Sequence, residues 1–149
     1  MSDPTCTGSA LGLLFRQVRD SMWARMQEEL AAAGQKLNFS QFITIKTLAA
    51  GSVGVTDLAR AAYLHPGAMT RLLDKLEERG ILVRVADPLD RRGVLVRLTP
   101  AGLAIWQDIN TCGQRVRARA MAGLDEAEQA ELLRLLARVR DNLTPPCGS

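Results

Sequence analysis

The sequence predicts a mainly α-helical chain with one small β-hairpin, and three observations carry that prediction. Apolar residues recur at helical spacing through six segments, most of them opened or closed by a capping residue. Two runs rich in β-branched residues, Ile81–Val85 and Val94–Leu98, flank the polar stretch DPLDRRG. Ala, Leu and Arg are abundant and aromatics make up only 4% of the chain, a balance that favours helices.

The chain has 149 residues, enough for one domain that buries roughly 70% of its unfolded surface. Apolar residues make up 47% and charged residues 23%, the usual balance of a soluble globular protein. No apolar run approaches the length of a membrane-spanning helix, so no membrane partner is expected. The start, Met1-Ser2-Asp3-Pro4, lacks the basic and apolar regions of a secretory signal, which points to a cytoplasmic location. The net charge of +3 is modest, and its carriers are nearly all arginine, whose planar fork of donors suits phosphates and base edges. Solvated surface charge explains that fact equally well. Cys6, Cys112 and Cys147 show no CxxC spacing, and His65 is the only histidine. A Cys/His zinc site is therefore not expected, and the thiols should be free. Nothing pairs a nucleophile with a base, so the sequence predicts neither an enzyme nor a cofactor.

Each element follows in turn. Leu11, Leu14, Phe15, Val18, Met22, Met26 and Leu30 form the stripe of a first helix that ends near Ala33-Gly34, with Gly34 as C-cap. Ser40 is expected to cap a second helix, carrying Phe42, Ile43, Ile45 and Leu48 and stopping at Gly51. Thr56 is expected to cap a short third helix through Ala62. Pro66 suits the first turn of a fourth, capped by His65. This helix places Met69, Leu72, Leu73 and Leu76 on one side and stops at Arg79-Gly80. After the hairpin, Thr99-Pro100 opens a fifth helix with Leu103, Ile105, Trp106, Ile109, Val116 and Met121, expected to bend or loosen near Cys112-Gly113. Asp125 with Glu128 forms a capping box for a last helix, whose apolar face is Leu132, Leu135, Leu136, Val139 and Leu143. Pro145-Pro146 ends it.

Residues 55–98 thus have the layout of a winged helix-turn-helix. The helix from Pro66 to Arg79 spans roughly 20 Å, a length that suits one major groove. Its opening, Pro66, Gly67, Ala68 and Met69, is lean enough for close backbone approach, and Thr70, Arg71 and Lys75 follow on the side away from Leu72 and Leu76. Arginine can bind guanine bidentately, threonine can meet a base edge or a thymine methyl, and lysine suits a phosphate. The alternative is that Arg71 and Lys75 merely pair with Asp74, Glu78 or other surface acids. The hairpin tip favours double-stranded DNA as partner, because Arg91 and Arg92 on an extended loop can enter the negative minor groove. Asp90 could hold an arginine fork by an ion pair, Pro88 stiffen the loop, and Gly93 turn the chain back. The first and the last two helices carry more apolar positions than a small core needs, as expected of helices that pair with a second copy. The division is a winged helix-turn-helix unit at 35–99 and a helical dimerisation region at 1–34 and 100–149.

Over nearly its whole length the sequence resembles the MarR family of bacterial winged-helix repressors. The likeness is strongest over residues 56–102. There Asp90-Arg91-Arg92 matches the family's D-x-R wing, and Leu98-Thr99-Pro100-Ala101-Gly102 matches LT-x-x-G. Thr70, Arg71, Leu76 and Gly80 match the helix pattern. The resemblance implies a homodimer on a pseudo-palindromic operator, with fourth helices in major grooves roughly 34 Å apart. It makes Arg92 the minor-groove arginine, Asp90 its orienting partner and Arg91 a phosphate neighbour. It also implies a repressor released by a small aromatic or phenolic effector bound between the dimer helices and the winged domain. Arg16, Met22, Trp23, Arg25 and Met26 of the first helix are candidates for that site's wall.

Two other functions stay open at this stage. Some members of the family sense oxidation through cysteine, and the spacing of Cys6 and Cys112 resembles a two-cysteine sensor. The thiol position of the family's peroxide sensors holds Leu14 here, and Cys6 has no cationic neighbour. A winged helix used for contacts with acidic proteins is the other.

Overall fold

The computed structural model describes residues 7–145, in the order α1 (Thr7–Ala32), α2 (Phe39–Ala49), β1 (Val53–Gly54), α3 (Val55–Ala61), α4 (Pro66–Glu78), β2 (Leu82–Asp87), β3 (Asp90–Leu98), α5 (Pro100–Ala120) and α6 (Glu126–Leu143). Cys6, Cys147 and Pro146 lie outside the described residues. The fold is mainly helical with a small antiparallel sheet, as the sequence predicts, and the chain divides into two compact units, Met1–Val116 and Arg117–Ser149.

Local chemistry sets the helix ends. Gly34 and Gly80 take positive φ, +77° and +74°, and close α1 and α4. His65 caps α4, its Nδ1 accepting from the Gly67 N–H at 3.1 Å. Asp125 and Glu128 form the expected capping box of α6. Two caps differ from expectation. Asn38, not Ser40, opens α2: its Oδ1 accepts from the Gln41 N–H at 2.8 Å, and Gln41 Oε1 accepts from the Asn38 N–H at 3.0 Å. Ser40 lies inside the helix, its carbonyl accepting from the Thr44 hydroxyl. The N-cap of α3 is Gly54, with no side-chain hydrogen bond, so Thr56 falls within the first turn. Strand pairing is the cause: Val53 and Gly54 bond to β3, and the chain passes straight from that strand into the helix. A third difference lies in α5, which runs as helix without interruption through Cys112-Gly113.

The sheet has the order β1-β3-β2. Val53 faces Val96 and Gly54 faces Leu95, while Leu82 to Ala86 face Leu98 to Val94. Strand β1 is a third strand that the hairpin pattern does not contain, since two residues carry no alternation to read. In unit Met1–Val116, Ile45 of α2, Leu58 of α3, Met69, Leu73 and Leu76 of α4, and Val96 of β3 are buried in one core. Leu30 of α1 and Ile109 of α5 belong to that same core. The two ends of α1 differ: Met26 and Leu30 are buried, whereas Leu11, Leu14, Phe15 and Val18 are exposed.

One joint fixes the hairpin to the helices on either side. Thr99 donates its N–H to the Ile81 carbonyl at 3.0 Å, and its hydroxyl bonds the Gly80 and Ile81 carbonyls while accepting from the Gly102 N–H at 3.1 Å. The threonine therefore caps α5 and closes the end of α4 together. In unit Arg117–Ser149, no residue of α6 is buried, and Leu132, Leu133, Leu135 and Leu136 are exposed.

Candidate nucleic-acid interface

Helix α4 has two chemically distinct sides. Met69, Leu72, Leu73 and Leu76 are buried, while Pro66, Gly67, Thr70, Arg71 and Lys75 are exposed and Ala68 is half-buried. Spacing at i, i+1, i+4, i+5 and i+9 gathers the exposed set along one face. The Thr70 hydroxyl donates to the Pro66 carbonyl at 3.0 Å, and the residue is exposed. Among the described residues, neither Arg71 nor Lys75 has a carboxylate within 4.0 Å. Of the nearby acids, Asp74 is taken by another arginine, and Glu78 has no cation within 4.0 Å among the described residues.

That arginine is Arg84 of β2. Its Nε donates to Glu77 at 2.7 Å and its Nη2 to Asp74, so one guanidinium clamps two successive turns of α4 to the hairpin. The hydrogen bond to Asp74 chiefly holds Arg84 above its ordinary pKa against a smaller desolvation cost, with Glu77 adding to it. In the sequence Arg84 is one residue of the run Ile81–Val85, with nothing to set it apart. The contact joins residues ten apart through a turn and a strand, and no helical or strand periodicity signals it.

The wing differs in detail from its expected form. The strands run to Asp87 and Asp90, and the tip is the two-residue turn Pro88-Leu89, with Asp87 Oδ1 accepting from the Leu89 N–H at 2.8 Å. Asp87 faces Asp90 while Ala86 already faces Val94, so Arg91, Arg92 and Gly93 stand on a bulge of β3 without partners in β2. A bulge re-aims side chains, and both arginines are exposed on it. Asp90 Oδ1 accepts from the backbone N–H of Arg92 at 3.0 Å and not from an arginine fork. It therefore fixes the chain from which Arg92 departs. Gly93 has no positive φ; its role is close approach, since a Cβ there would lie 3.2 Å from the Asp87 Cβ.

The residues proposed for an effector wall are only partly gathered. Met26 is buried and Met22 exposed. Arg25 pairs with Glu28 at 3.1 Å and Arg16 with Asp20 at 3.9 Å. Trp23 instead meets two aromatics outside that candidate set: Phe39 edge-on at 5.1 Å and Phe42 at 5.4 Å. Lys46 Nζ lies 6.0 Å from the Phe42 ring centre. The spacing Phe39-x-x-Phe42 was the available signal for this cluster. Cys112 is buried, and burial together with the Glu29 carboxylate pushes its thiol pKa up, away from thiolate.

A helix with an exposed reading face, clamped to a hairpin whose bulge presents two arginines that have no carboxylate within 4.0 Å among the described residues, defines a winged helix-turn-helix protein. The MarR family model matches residues 37–94. No curated protein matches the chain. Among solved structures, the chain is similar to a mutant MarR from E. coli complexed with operator DNA, at 30% identity and a TM-score of 0.75, with 93% of this chain and 99% of that one covered. The transcriptional regulator PA3341 is 30% identical with a TM-score of 0.78, covering 89% and 97%. Bordetella bronchiseptica BpsR, whose DNA binding is regulated by 6-hydroxynicotinic acid, is 26% identical with a TM-score of 0.73, covering 88% and 98%. The chain belongs to the MarR family of transcriptional regulators, which are DNA-binding regulators and not enzymes. No helix among the described residues is long and apolar enough to cross a membrane.

Proposed function

We propose that this chain is a sequence-specific regulator of double-stranded DNA, acting as a homodimeric repressor on a pseudo-palindromic operator. The observation that carries the reading is the set of cations Arg71, Lys75, Arg91 and Arg92, exposed on the helix and the wing of one unit and without an ion pair among the described residues. Pro66, Gly67, Ala68 and Thr70 would border the bases, Lys75 and Arg91 the phosphates, and Arg92 the minor groove, with Asp90 fixing its backbone. The exposed apolar residues of α1 and α6 support a dimerisation region at 1–34 and 100–149, because a second copy would cover them. Selection of duplexes from a random pool tests this. The retained sites should show two inverted half-sites about 10 base pairs apart, and affinity should fall with salt by roughly 0.9 log units per log unit for each phosphate neutralised. Flat salt dependence would overturn the reading and favour a protein partner.

The signal we infer is a flat aromatic acid and not a thiol oxidant. Trp23, Phe39 and Phe42 offer ring faces and edges, and Lys46, free of ion pairs within 4.0 Å among the described residues, offers the countercharge that Arg16 and Arg25 have already spent on acids of their own helix. A thermal-shift series of aromatic acids, 6-hydroxynicotinic acid included, should raise the melting temperature by mass action, and Lys46→Met should abolish the rise. Release of DNA by peroxide alone, dependent on Cys6 or Cys112, would replace this reading with the redox one.

A further inference from the structure

Three helices of the chain end with the same pair of hydrogen bonds. In α1 the Gly34 N–H bonds Ala31 and the Gln35 N–H bonds Leu30; in α4 the Gly80 N–H bonds Glu77 and the Ile81 N–H bonds Leu76. In α3 the Tyr63 N–H bonds Arg60 at 3.2 Å and the Leu64 N–H bonds Ala59 at 2.9 Å. This motif requires a left-handed residue after the helix, and glycine supplies it in the first two cases. In the third, tyrosine does, at φ +52°, and it is the one non-glycine of positive φ among the described residues. Any residue with a Cβ is disfavoured there.

The side chain returns nothing to the fold for that strain. Tyr63 is 94% exposed, so its ring is packed against no neighbour and its hydroxyl bonds none of the described residues. A large aromatic held in the open by a strained backbone is of use to a partner. Its place in the fold says which one. It forms the turn between α3 and α4, two residues before the cap His65 and three before Pro66, the first residue of the reading helix. When the N-terminal turn of such a helix enters a major groove, the residues bordering it come against the sugar-phosphate strand at the groove's rim.

We infer that Tyr63 is a further contact residue of the DNA interface, its phenol donating a hydrogen bond to a phosphate oxygen and its ring lying on the adjoining sugar. The inference rests on the DNA-binding reading above. A phenol is neutral, so this contact adds affinity without releasing a counterion, unlike one made by Arg or Lys.

The test uses the full chain and a duplex that the unaltered protein selects from a random pool. Tyr63→Phe should weaken binding by about fivefold to 100-fold, the loss in each subunit of one hydrogen bond of ordinary net strength at the solvent-exposed rim of the groove, with the slope of affinity against salt unchanged. Tyr63→Gly should weaken it at least as much while raising the melting temperature, which separates the DNA contact from folding. Since Tyr63 is the chain's only tyrosine, nitration by tetranitromethane reads its exposure directly, and the bound duplex should protect it. Unaltered affinity in Tyr63→Phe, or nitration as fast in the complex as in the free chain, overturns the inference while leaving DNA binding intact. If the unaltered chain retains no duplex, the DNA-binding reading falls and this inference falls with it.

Discussion

Replacing Arg92 by alanine is expected to weaken DNA binding by about 30-fold or more, because a dimer loses two such contacts at once. The expectation starts from the bulge. Arg92 is exposed, has no carboxylate within 4.0 Å among the described residues, and leaves a backbone held by the 3.0 Å bond from its own N–H to Asp90. An arginine presented without an acid partner meets the narrow groove's potential at little desolvation cost. The slope of log affinity against log salt should fall by about 1.8, twice the 0.9 of one neutralised phosphate. Arg134→Ala, which removes a charge already tied to Glu131 at 2.6 Å, should change neither quantity much and controls for net charge. Asp90 separates two accounts of the same tip. If its carboxylate serves as an acceptor for the Arg92 N–H, Asp90→Asn keeps an oxygen in place and should bind nearly as the unaltered protein does, whereas Asp90→Ala should not. If it served as an ion-pair partner, both would fail together.

The wing also shows what the sequence could and could not convey. Two β-branched runs around a polar stretch were enough to place the hairpin, since period-2 burial needs only a few residues to show. The position of the turn was not legible. DPLDRRG contains several turn-forming residues, and the choice of Pro88-Leu89 follows from Asp87 pairing with Asp90, a register set across the sheet. The caps divide along the same line. His65, Thr99 and Asp125 were readable because each precedes its helix with a proline or glutamate at a fixed offset. Gly54 was not, because the start of α3 is imposed by a two-residue strand bonded to residues some forty positions later. On α4, Pro66, Gly67, Thr70, Arg71 and Lys75 are exposed and Ala68 is half-buried, while the core residues are buried, Met69 of the lean opening among them, because an amphipathic helix writes its two sides into a period of 3.6. Arg84 binds Asp74 and Glu77 across a chain reversal, and its clamp is the part of the interface that only coordinates reveal.

Gly102→Ala should cost about 3 kcal/mol or more of stability, the largest loss expected of adding one methyl group to this chain. A Cβ at residue 102 would stand 2.0 Å from the Ile81 carbonyl oxygen and 3.2 Å from Leu98 Cδ2. The first neighbour is backbone, and no rotamer change can move it aside. It also cannot retreat freely, since the same oxygen accepts from the Thr99 N–H at 3.0 Å and from the Thr99 hydroxyl at 3.1 Å. Displacing it breaks the joint that caps α5 and closes α4, so the loss of a helix cap, about 1 kcal/mol, adds to the overlap. At this chain length a loss of that size lowers the melting temperature by about 6–12 °C. The measurement should be made at fixed protein concentration, because a dimer's stability depends on it. Gly113→Ala gives the opposite sign. It lies in the interior of the same helix with nothing within 4 Å of its Cβ position, so the added methyl should stabilise by about 0.5–1 kcal/mol through helix propensity alone. The joint at Gly102 also sets the start of β2 and the end of β3, and with them the base from which the arginine bulge projects. Gly102→Ala should therefore lose DNA affinity even at temperatures where the chain stays folded, while Gly113→Ala should keep it. Equal stability of the two variants would show that the Ile81 carbonyl yields without cost and that the joint at Thr99 and Gly102 does not fix the base of the wing.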